Sequence, residues 1–185
     1  TFGDVAESTQ AVIALMGQFK FKAGDMIEAF GIINAVSAKY ASESDSIIKA
    51  IIRTGGVFSI ASRGVSEGSK ALAEFAALFN SIESTTRQAP ETIATGLRTI
   101  FARLQRPDTI KFFRSLGIEL ADLEGKFIGP YNAIQKIGIA LERMQLSTRD
   151  PLFSQIVEVV GGVRQYAQVI PLLTNVTLQQ EAFNV

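Results

Sequence analysis

The chain has 185 residues, 47% of them hydrophobic, and its 18 basic and 18 acidic side chains cancel to a formal net charge of zero. This length is sufficient for a domain with a sizeable apolar core. Because an electrostatic nucleic-acid binder needs a surplus of Lys and Arg on one face, no specific nucleic-acid binding is expected.

The sequence contains no Cys, His or Trp, which narrows the chemistry open to it. Disulfides, thiol nucleophiles and zinc sites of the Cys/His kind are excluded, and so is a His general base. Ser46, Ser66 and Ser69 have neither a Gly-x-Ser-x-Gly context nor a His partner. We therefore predict no catalytic residue, no metal-binding residue and no cofactor-binding residue, and no cofactor.

The sequence shows no signal peptide and no membrane-spanning run. The first residues lack the basic start and apolar centre of a signal peptide. The longest apolar runs, such as 11–16, are shorter than the roughly 20 residues that a membrane-spanning helix needs. Since the chain starts at Thr1 without Met, it is expected to be a fragment of a longer polypeptide.

A helical hydrophobic period runs through the first sixty residues. It predicts one helix over 4–18 and a second over 24–40, with a polar turn at 42–46 before a third. In the first helix, the residues predicted to face the core are Val5, Val12, Ile13 and Met16.

The pair Gly55-Gly56 lies within the third predicted helix. A mid-helix Gly costs up to about 1 kcal/mol relative to Ala, so the pair requires a structural reason. A close helix–helix approach or a kink is favoured over contact with a ligand. The pair is not a phosphate loop, because it lacks the Gly-Lys-Ser/Thr ending and does not follow a strand. Gly161-Gly162 lacks these features too, and it predicts a break or bend.

The best-bounded helix is predicted within Thr86–Pro107. Pro90 suits the first helical position and Glu91 the positive end of the helix, while Pro107 stops the run. Its apolar face consists of Ile93, Leu97, Ile100 and Leu104. A fourth helix precedes it, with apolar residues at helical spacing, namely Leu72, Phe75, Ala76, Phe79 and Ile82.

The hydrophobic period changes from helical to alternating in the middle of the chain. Apolar Ile118 and Leu120 flank Glu119, and the residues at 122–125 favour a turn. This pattern predicts one small β-hairpin insert near residues 118–128. A lone hairpin is marginally stable in water, so we expect it to pack on the helices.

Helical patterns resume after the predicted hairpin. Gly129-Pro130 opens one helix, Asp150-Pro151 is an N-cap and first-turn pair for the next, and 163–173 continues the helical pattern. A last polar helix is predicted near Thr177. We predict an all-α fold, a multi-helix domain covering 1–185 as a single unit with the hairpin as an insert.

Two groups of charged residues are candidate sites. The acidic group lacks the spacing of a calcium loop and the aromatic groove of a glycosidase, so a solvated turn is favoured; it comprises Glu119, Asp122 and Glu124. For the basic group, a solvated or ion-paired face is favoured over a polyanion site; it comprises Arg87, Arg98, Arg103, Arg106, Lys111 and Arg114.

Four segments taken together resemble the tape measure protein family of long-tailed phages. No single segment is a reaction signature, and the specificity lies in their combination, order and spacing. The resemblance extends over about 51–173, and before it only the helical pattern agrees. The segments are 53–61, 86–107 with its core at 96–104, 116–127, and 160–165 followed by 169–173.

The resemblance implies a structural role without catalytic residues in this region. Family members are long, mostly helical scaffolds inside the tail tube, whose length sets tail length and which are released at DNA ejection. The implied partners are the tail tube protein, the tail tip or baseplate hub proteins and tail assembly chaperones, with a homo-oligomer in the tail. The implied location is the virion tail, and the host cytoplasm during assembly.

Two other functions remain open from the sequence. A membrane-active helical module, in contact with the host membrane, would aid DNA passage through the host envelope, and amphipathic helices with Gly pairs permit this. A wall-degrading enzyme ranks below both. Short helices with Pro and Gly stops are features of a compact domain, so this region is hypothesised to be a folded module of the longer ruler.

Overall fold

The computed structural model describes residues 4–40 and 42–185, and it is 77% helical with 1% strand. All-α is therefore the correct fold class. Short 3-10 turns at Ala23–Asp25 and Val163–Gln165 precede two of the helices. The α-helices of the described residues are α1 (Val5–Phe19), α2 (Met26–Tyr40), α3 (Ser44–Ala61), α4 (Gly68–Thr86), α5 (Pro90–Leu104), α6 (Pro107–Ser115), α7 (Pro130–Arg143), α8 (Pro151–Gly161), α9 (Tyr166–Thr174) and α10 (Val176–Phe183).

Proline marks the start of four successive helices. Pro90, Pro107, Pro130 and Pro151 occupy the first turns of α5, α6, α7 and α8. At that position the missing N–H costs no hydrogen bond and the fixed φ suits a helix. Pro107 therefore opens α6 as well as ending the run of α5. Pro171 differs, because it lies inside α9.

Helix α4 lies at the centre of the fold. Every residue from Glu74 to Glu83 is buried, and the helix contacts α1, α2, α3, α5, α7, α9 and α10. A helix that is buried all round must be apolar on most of its surface, and its alanines, leucines and phenylalanines meet that requirement. These seven helices are therefore arranged around α4.

Four phenylalanines from four helices join in the core. The ring centroid of Phe58 lies 5.5 Å from that of Phe75 and 5.1 Å from that of Phe101. Both pairs are edge-to-face. Phe19 lies 6.0 Å from Phe75. Since such pairs add about 0.5–1.5 kcal/mol beyond area burial, this cluster ties α1, α3, α4 and α5 together. All four are buried, so these phenylalanines serve core packing.

The predicted core face of α1 is wrong. Val5 is 83% exposed, Ile13 65% and Met16 41%, while Val12 is half-buried. The residues that pack inward are Ala11, Ala14, Leu15 and Phe19. The helix is apolar on both sides. Its inward face is fixed by Phe19, which enters the aromatic cluster, and by small alanines that allow close packing on α3.

The predicted β-hairpin at 118–128 is also wrong. The described residues there form a turn closed by one isolated antiparallel bridge, between Ala121 and Phe127, without a strand. Ile118 and Leu120 do point inward, as the alternation indicated. After the bridge at Phe127 only two residues remain before α7 begins at Pro130. The chain that follows the turn is therefore too short to form a second strand.

Glycines allow close contacts between helices. A Cβ on Gly55 would lie 2.2 Å from Gln18 Oε1 and 2.9 Å from Phe19 Cε2. The predicted close approach is thus confirmed at Gly55, where α1 packs on α3. Gly138 on α7 similarly admits α9 and α10. No helix in the described part of the chain has both the length and the apolar character to cross a membrane.

Candidate functional site

Two of the segments that carry the family resemblance meet where α3 packs on α5. Thr54 donates its hydroxyl to the carbonyl oxygen of Ala94 at 2.7 Å, and both residues are buried. Ile93, Leu97, Ile100 and Leu104, the predicted apolar face of α5, are fully buried. The contact between segments 53–61 and 86–107 is therefore a packed interior and offers no open cleft.

The segment at 160–165 also packs on α5. Arg103 donates from Nε to the carbonyl oxygen of Val159 at 3.2 Å and from Nη2 to that of Glu158 at 3.0 Å. A cation at the carboxyl end of α8 also complements the helix dipole. A Cβ on Gly161 would lie 2.4 Å from Val169 Cγ2, so this glycine lets α9 approach α8.

The three acidic residues of the bridged turn each have a structural role. Glu119 accepts two hydrogen bonds from Arg114, at 2.9 and 3.0 Å. The Arg114 guanidinium lowers the pKa of Glu119, which is the opposite of what a general acid needs. Asp122 accepts from the backbone N–H groups of Glu124 and Lys126, both at 2.9 Å, and so fixes the turn. The favoured solvated turn agrees with this geometry.

The residues of the predicted basic group do not share one role. Arg103 holds the end of α8, and Arg114 is paired with Glu119. Arg98, Arg106 and Lys111 are exposed, and the described residues provide no ion pair for these three. They are spread over α5, the α5–α6 turn and α6, which agrees with a solvated or ion-paired face.

Buried polar residues on α4 are a feature that the sequence reading missed. Glu74 is 3% exposed and accepts a hydrogen bond from Ser66 at 2.6 Å. Burial raises the pKa of Glu74, and the Ser66 hydroxyl and Lys70 offset only part of that effect. The sequence contained a signal for this burial, because Glu74 interrupts a run of apolar residues at 71–79.

Glu83 is buried nearer the carboxyl end of α4, beside a crevice of about 170 Å³. Burial raises its pKa, against the effect of the Ser46 and Ser42 hydroxyls. Glu83 Oε2 and Asn80 Nδ2 have no hydrogen-bond partner in the structure. The crevice is lined by both acidic and basic side chains, including Glu43 and Arg87, and this mixture does not define a ligand.

The C-terminal helix α10 is held by a buried polar network. Gln179 is fully buried, and its Nε2 donates to Ser81 Oγ at 3.1 Å and to the carbonyl oxygen of Leu172 at 2.8 Å. Its Oε1 accepts from Gln135 Nε2 at 2.6 Å. These bonds link α4, α7, α9 and α10. No sequence pattern indicated these bonds, because the residues around Gln179 predict a polar surface helix.

Among residues 4–40 and 42–185, no three Asp or Glu side chains converge as a group able to hold a metal ion. The geometry that the resemblance segments share is helix packing around α5, with hydrogen bonds from Thr54 and Arg103 to backbone carbonyl oxygens. Such an arrangement supports a structural role as a scaffold.

Comparison with known proteins agrees with a structural role in the tail. The model of the family described as "Phage-related minor tail protein" matches residues 1–157. No curated protein and no solved structure matches the chain. The match covers well over half of the 185 residues, and with the packed helical segments just described it places the chain: it belongs to the family of phage-related minor tail proteins, structural components of the virion tail.

Proposed function

We propose that the chain is part of a tape measure protein, the length-determining scaffold inside the tail tube of a long-tailed phage, released at DNA ejection. Family membership supplies the tail role. The finer role is supported by the four resemblance segments between 53 and 173. Two of them, 53–61 and 160–165, pack on α5, which lies within a third, so these three segments belong to a single structural unit.

The observation that carries the proposal is that these segments form a folded module. As one continuous helix, 185 residues would span about 280 Å at 1.5 Å per residue. A globule of the same length has a radius of gyration of about 16 Å. The buried aromatic cluster and the α3–α5 contact exist only in the globule and not in one continuous helix. This region therefore acts as a compact part of the ruler, and the parent chain's other helices supply most of its length.

The proposed partners follow from the position inside a tube. They are the tail tube protein around the module, the tail tip or baseplate hub proteins at its end, and tail assembly chaperones in the host cytoplasm before the tube closes. Several copies of the chain would share one tail. The role is not enzymatic, and the engagement of Glu119, Asp122 and Glu124 in turn and ion-pair contacts supports this.

Electron microscopy of tails from phage with altered parent genes tests the proposal. Deleting the parent gene is expected to abolish tails or leave their length uncontrolled, whereas tails of normal and uniform length would overturn the tape measure role. Duplicating residues 1–185 in frame then tests the folded state. We expect tails lengthened by no more than one module, roughly 40 Å; an increase near 280 Å would show an extended segment.

A matched control keeps the second experiment interpretable. The same duplication with Phe58→Asp and Phe101→Asp in the inserted copy removes the aromatic cluster from that copy. An unfolded insert can extend, so its tails should exceed those of the wild-type duplication. Equal lengths would mean that the module's fold does not govern the length it occupies.

A further inference from the structure

A small cleft opens where the carboxyl ends of α1 and α3 meet the start of α4. Its volume is about 190 Å³. Phe19 and Ala71 line it and are almost fully buried, at 1% and 2% exposure, so its floor is apolar. Ile60, which is 63% exposed, lies at the rim. Since a cavity of about 150 Å³ holds a benzene ring, this cleft has room for one compact apolar group.

Gly56 lines the cleft, and helix packing does not require a glycine there. The neighbouring Gly55 admits α1, whereas a Cβ on Gly56 would find its nearest atoms in the Gln18 side chain, at 3.9–4.0 Å. These are ordinary van der Waals distances, so no close approach offsets the cost of this mid-helix glycine. What Gly56 provides is open space in the cleft beside Gln18.

The side-chain amide of Gln18 is a polar group of the cleft that the fold leaves unsatisfied. Its Oε1 is buried and has no hydrogen-bond partner, and its Nε2 lies 3.9 Å from the position of a Cβ on Gly56. The hydroxyls of Ser59 and Ser66, in contrast, already donate to the Gln18 carbonyl oxygen and to Glu74. Gln18 Nε2 therefore offers a donor beside the space that Gly56 leaves.

Two cations border the cleft without an ion-pair partner among the described residues. Lys20 follows α1 and donates from Nζ to the carbonyl oxygen of Gly17 at 3.3 Å, and Arg63 is exposed beyond the end of α3. Glu67 is the acidic residue of the lining, so two cations and one acid give it a net charge of +1. Helix dipoles account for a cation near each carboxyl end, but they do not require the cleft or the glycine that opens it.

We propose that this cleft binds a carboxylate carried on one compact apolar group. The apolar group lies against Phe19, in the space at Gly56. The carboxylate faces Arg63 and Lys20, and a guanidinium matches the two oxygens of a carboxylate in geometry. Glu67 repels a second negative charge, which favours a monocarboxylate over a phosphate or a dicarboxylate. The inference concerns the folded chain and does not rest on the ruler role.

Amide NMR of the isotope-labelled chain during titration with benzoate gives the first test. We expect saturable shifts in the signals of Gly56 and Lys20, with a Kd on the order of 1 mM, as suits a ligand of about nine non-hydrogen atoms. Benzamide has the same shape without the charge, and inorganic phosphate has the charge without the ring. Each should bind at least about tenfold more weakly, because each lacks one of the two features.

Gly56→Ala is the most informative variant, because it is expected to bind less while being more stable. Its methyl occupies the cleft beside Gln18 Nε2, so benzoate should bind at least about tenfold more weakly. Higher helix propensity should raise the thermal midpoint at the same time. Gly31→Ala is the matched control on α2, where a Cβ would have no neighbour within 4 Å. It gains the same propensity and should bind benzoate as the wild type does.

Arg63→Gln tests the contribution of charge. Benzoate should bind about fivefold more weakly, which corresponds to the loss of one exposed ion pair. Arg53→Gln is the control, because Arg53 is exposed on α3 and does not line the cleft. Benzamide should bind equally to both variants and to the wild type, and helicity by circular dichroism should stay unchanged.

Two peptides distinguish the two sources of such a carboxylate, a free organic acid and the carboxyl-terminal residue of a peptide. Acetyl-glycyl-leucine has a free carboxyl group, and its carboxamide is the control. Tighter binding of this acid than of benzoate would assign the cleft to a chain end, whereas weaker binding would assign it to a small organic acid. Both outcomes support a carboxylate site.

Three results would overturn the proposal. One is the absence of saturable shifts with both benzoate and the peptide acid. A second is benzamide or phosphate binding as tightly as benzoate, which would leave only an apolar or only an ionic contact. The third is wild-type affinity for benzoate in Gly56→Ala, which would mean that the ligand lies elsewhere.

Discussion

Thr54 donates its hydroxyl to the carbonyl oxygen of Ala94 across the α3–α5 interface, joining residues that are 40 positions apart. Both residues are almost fully buried, at 1% and 0% exposure. Thr54→Val keeps the shape and removes the donor, so we expect the free energy of unfolding to fall by about 1 kcal/mol.

Urea denaturation of Thr54→Val measures that loss. Thr95→Val is the control, since Thr95 is exposed on α5 and bonds only to the carbonyl of Glu91 in its own helix. Its effect should lie within about 0.5 kcal/mol. A loss of the same size in both variants would show that the interhelical bond contributes nothing of its own.

The neighbouring glycines of α3 should respond oppositely to the same substitution. Gly55→Ala places a methyl 2.9 Å from the Phe19 ring, which the aromatic cluster holds in place. We expect destabilisation by about 1–3 kcal/mol from overpacking. For Gly56→Ala the nearest atoms of Gln18 are 3.9 Å away, so the gain in helix propensity should stabilise the protein by up to about 1 kcal/mol. Thermal unfolding of both variants checks this; stabilisation by Gly55→Ala would contradict the close approach.

Stability should depend on pH through Glu74. Because burial raises its pKa above the ordinary 4.5, the folded state holds a proton that the unfolded state releases. Its contribution is therefore complete below about pH 4.5 and declines as pH rises through the folded-state value. Glu74→Gln cannot ionise, so its stability relative to wild type should increase between about pH 4.5 and pH 7.

Ser66→Ala should show the opposite trend and is the paired measurement. The Ser66 hydroxyl donates to the Glu74 carboxylate and favours its charged form. Losing that bond costs more when Glu74 is ionised, so the destabilisation should be greater near pH 7 than near pH 4.5. Urea titrations at both pH values measure this, and pH-independent effects in the two variants would contradict the role of Glu74.

Gln179 should contribute more to stability than its exposed neighbour. Gln179→Ala removes one hydrogen-bond partner from each of the buried Ser81 and Gln135 side chains and one from the carbonyl oxygen of Leu172, so we expect a loss of about 2–4 kcal/mol. Gln180 makes one bond to Gln135 from an exposed position, and Gln180→Ala should cost less than about 1 kcal/mol. Chemical denaturation measures both, and equal losses would mean that the network is not what holds α10.

The helices were predictable where turn residues and a single apolar face agreed. In α5, Pro90 marked the start, and the face from Ile93 to Leu104 was the only apolar one. In α1 both faces are apolar, so periodicity could not choose between them. The choice depends on Phe19 meeting Phe58 and Phe75, contacts that are remote in sequence.

The candidate sites also differ in whether local sequence or remote contacts determine them. The acidic group at 119–124 could be interpreted from its local spacing as a turn. The buried Glu74 and Gln179 depend on which helices surround them, and no local pattern specifies that. The hairpin prediction failed for a related reason, since the alternation of Ile118 and Leu120 was real but the start of α7 at Pro130 left no room for a second strand.

The closure of α4 by α10 has a consequence for synthesis on the ribosome. The bond between Gln179 and Ser81 joins residues 98 positions apart, so α4 stays incompletely covered until nearly the whole region has been translated. Contacts of such long range also slow folding. A nascent chain therefore exposes for that interval a helix that is buried on every side in the folded protein, and this helix must be shielded if aggregation is to be avoided.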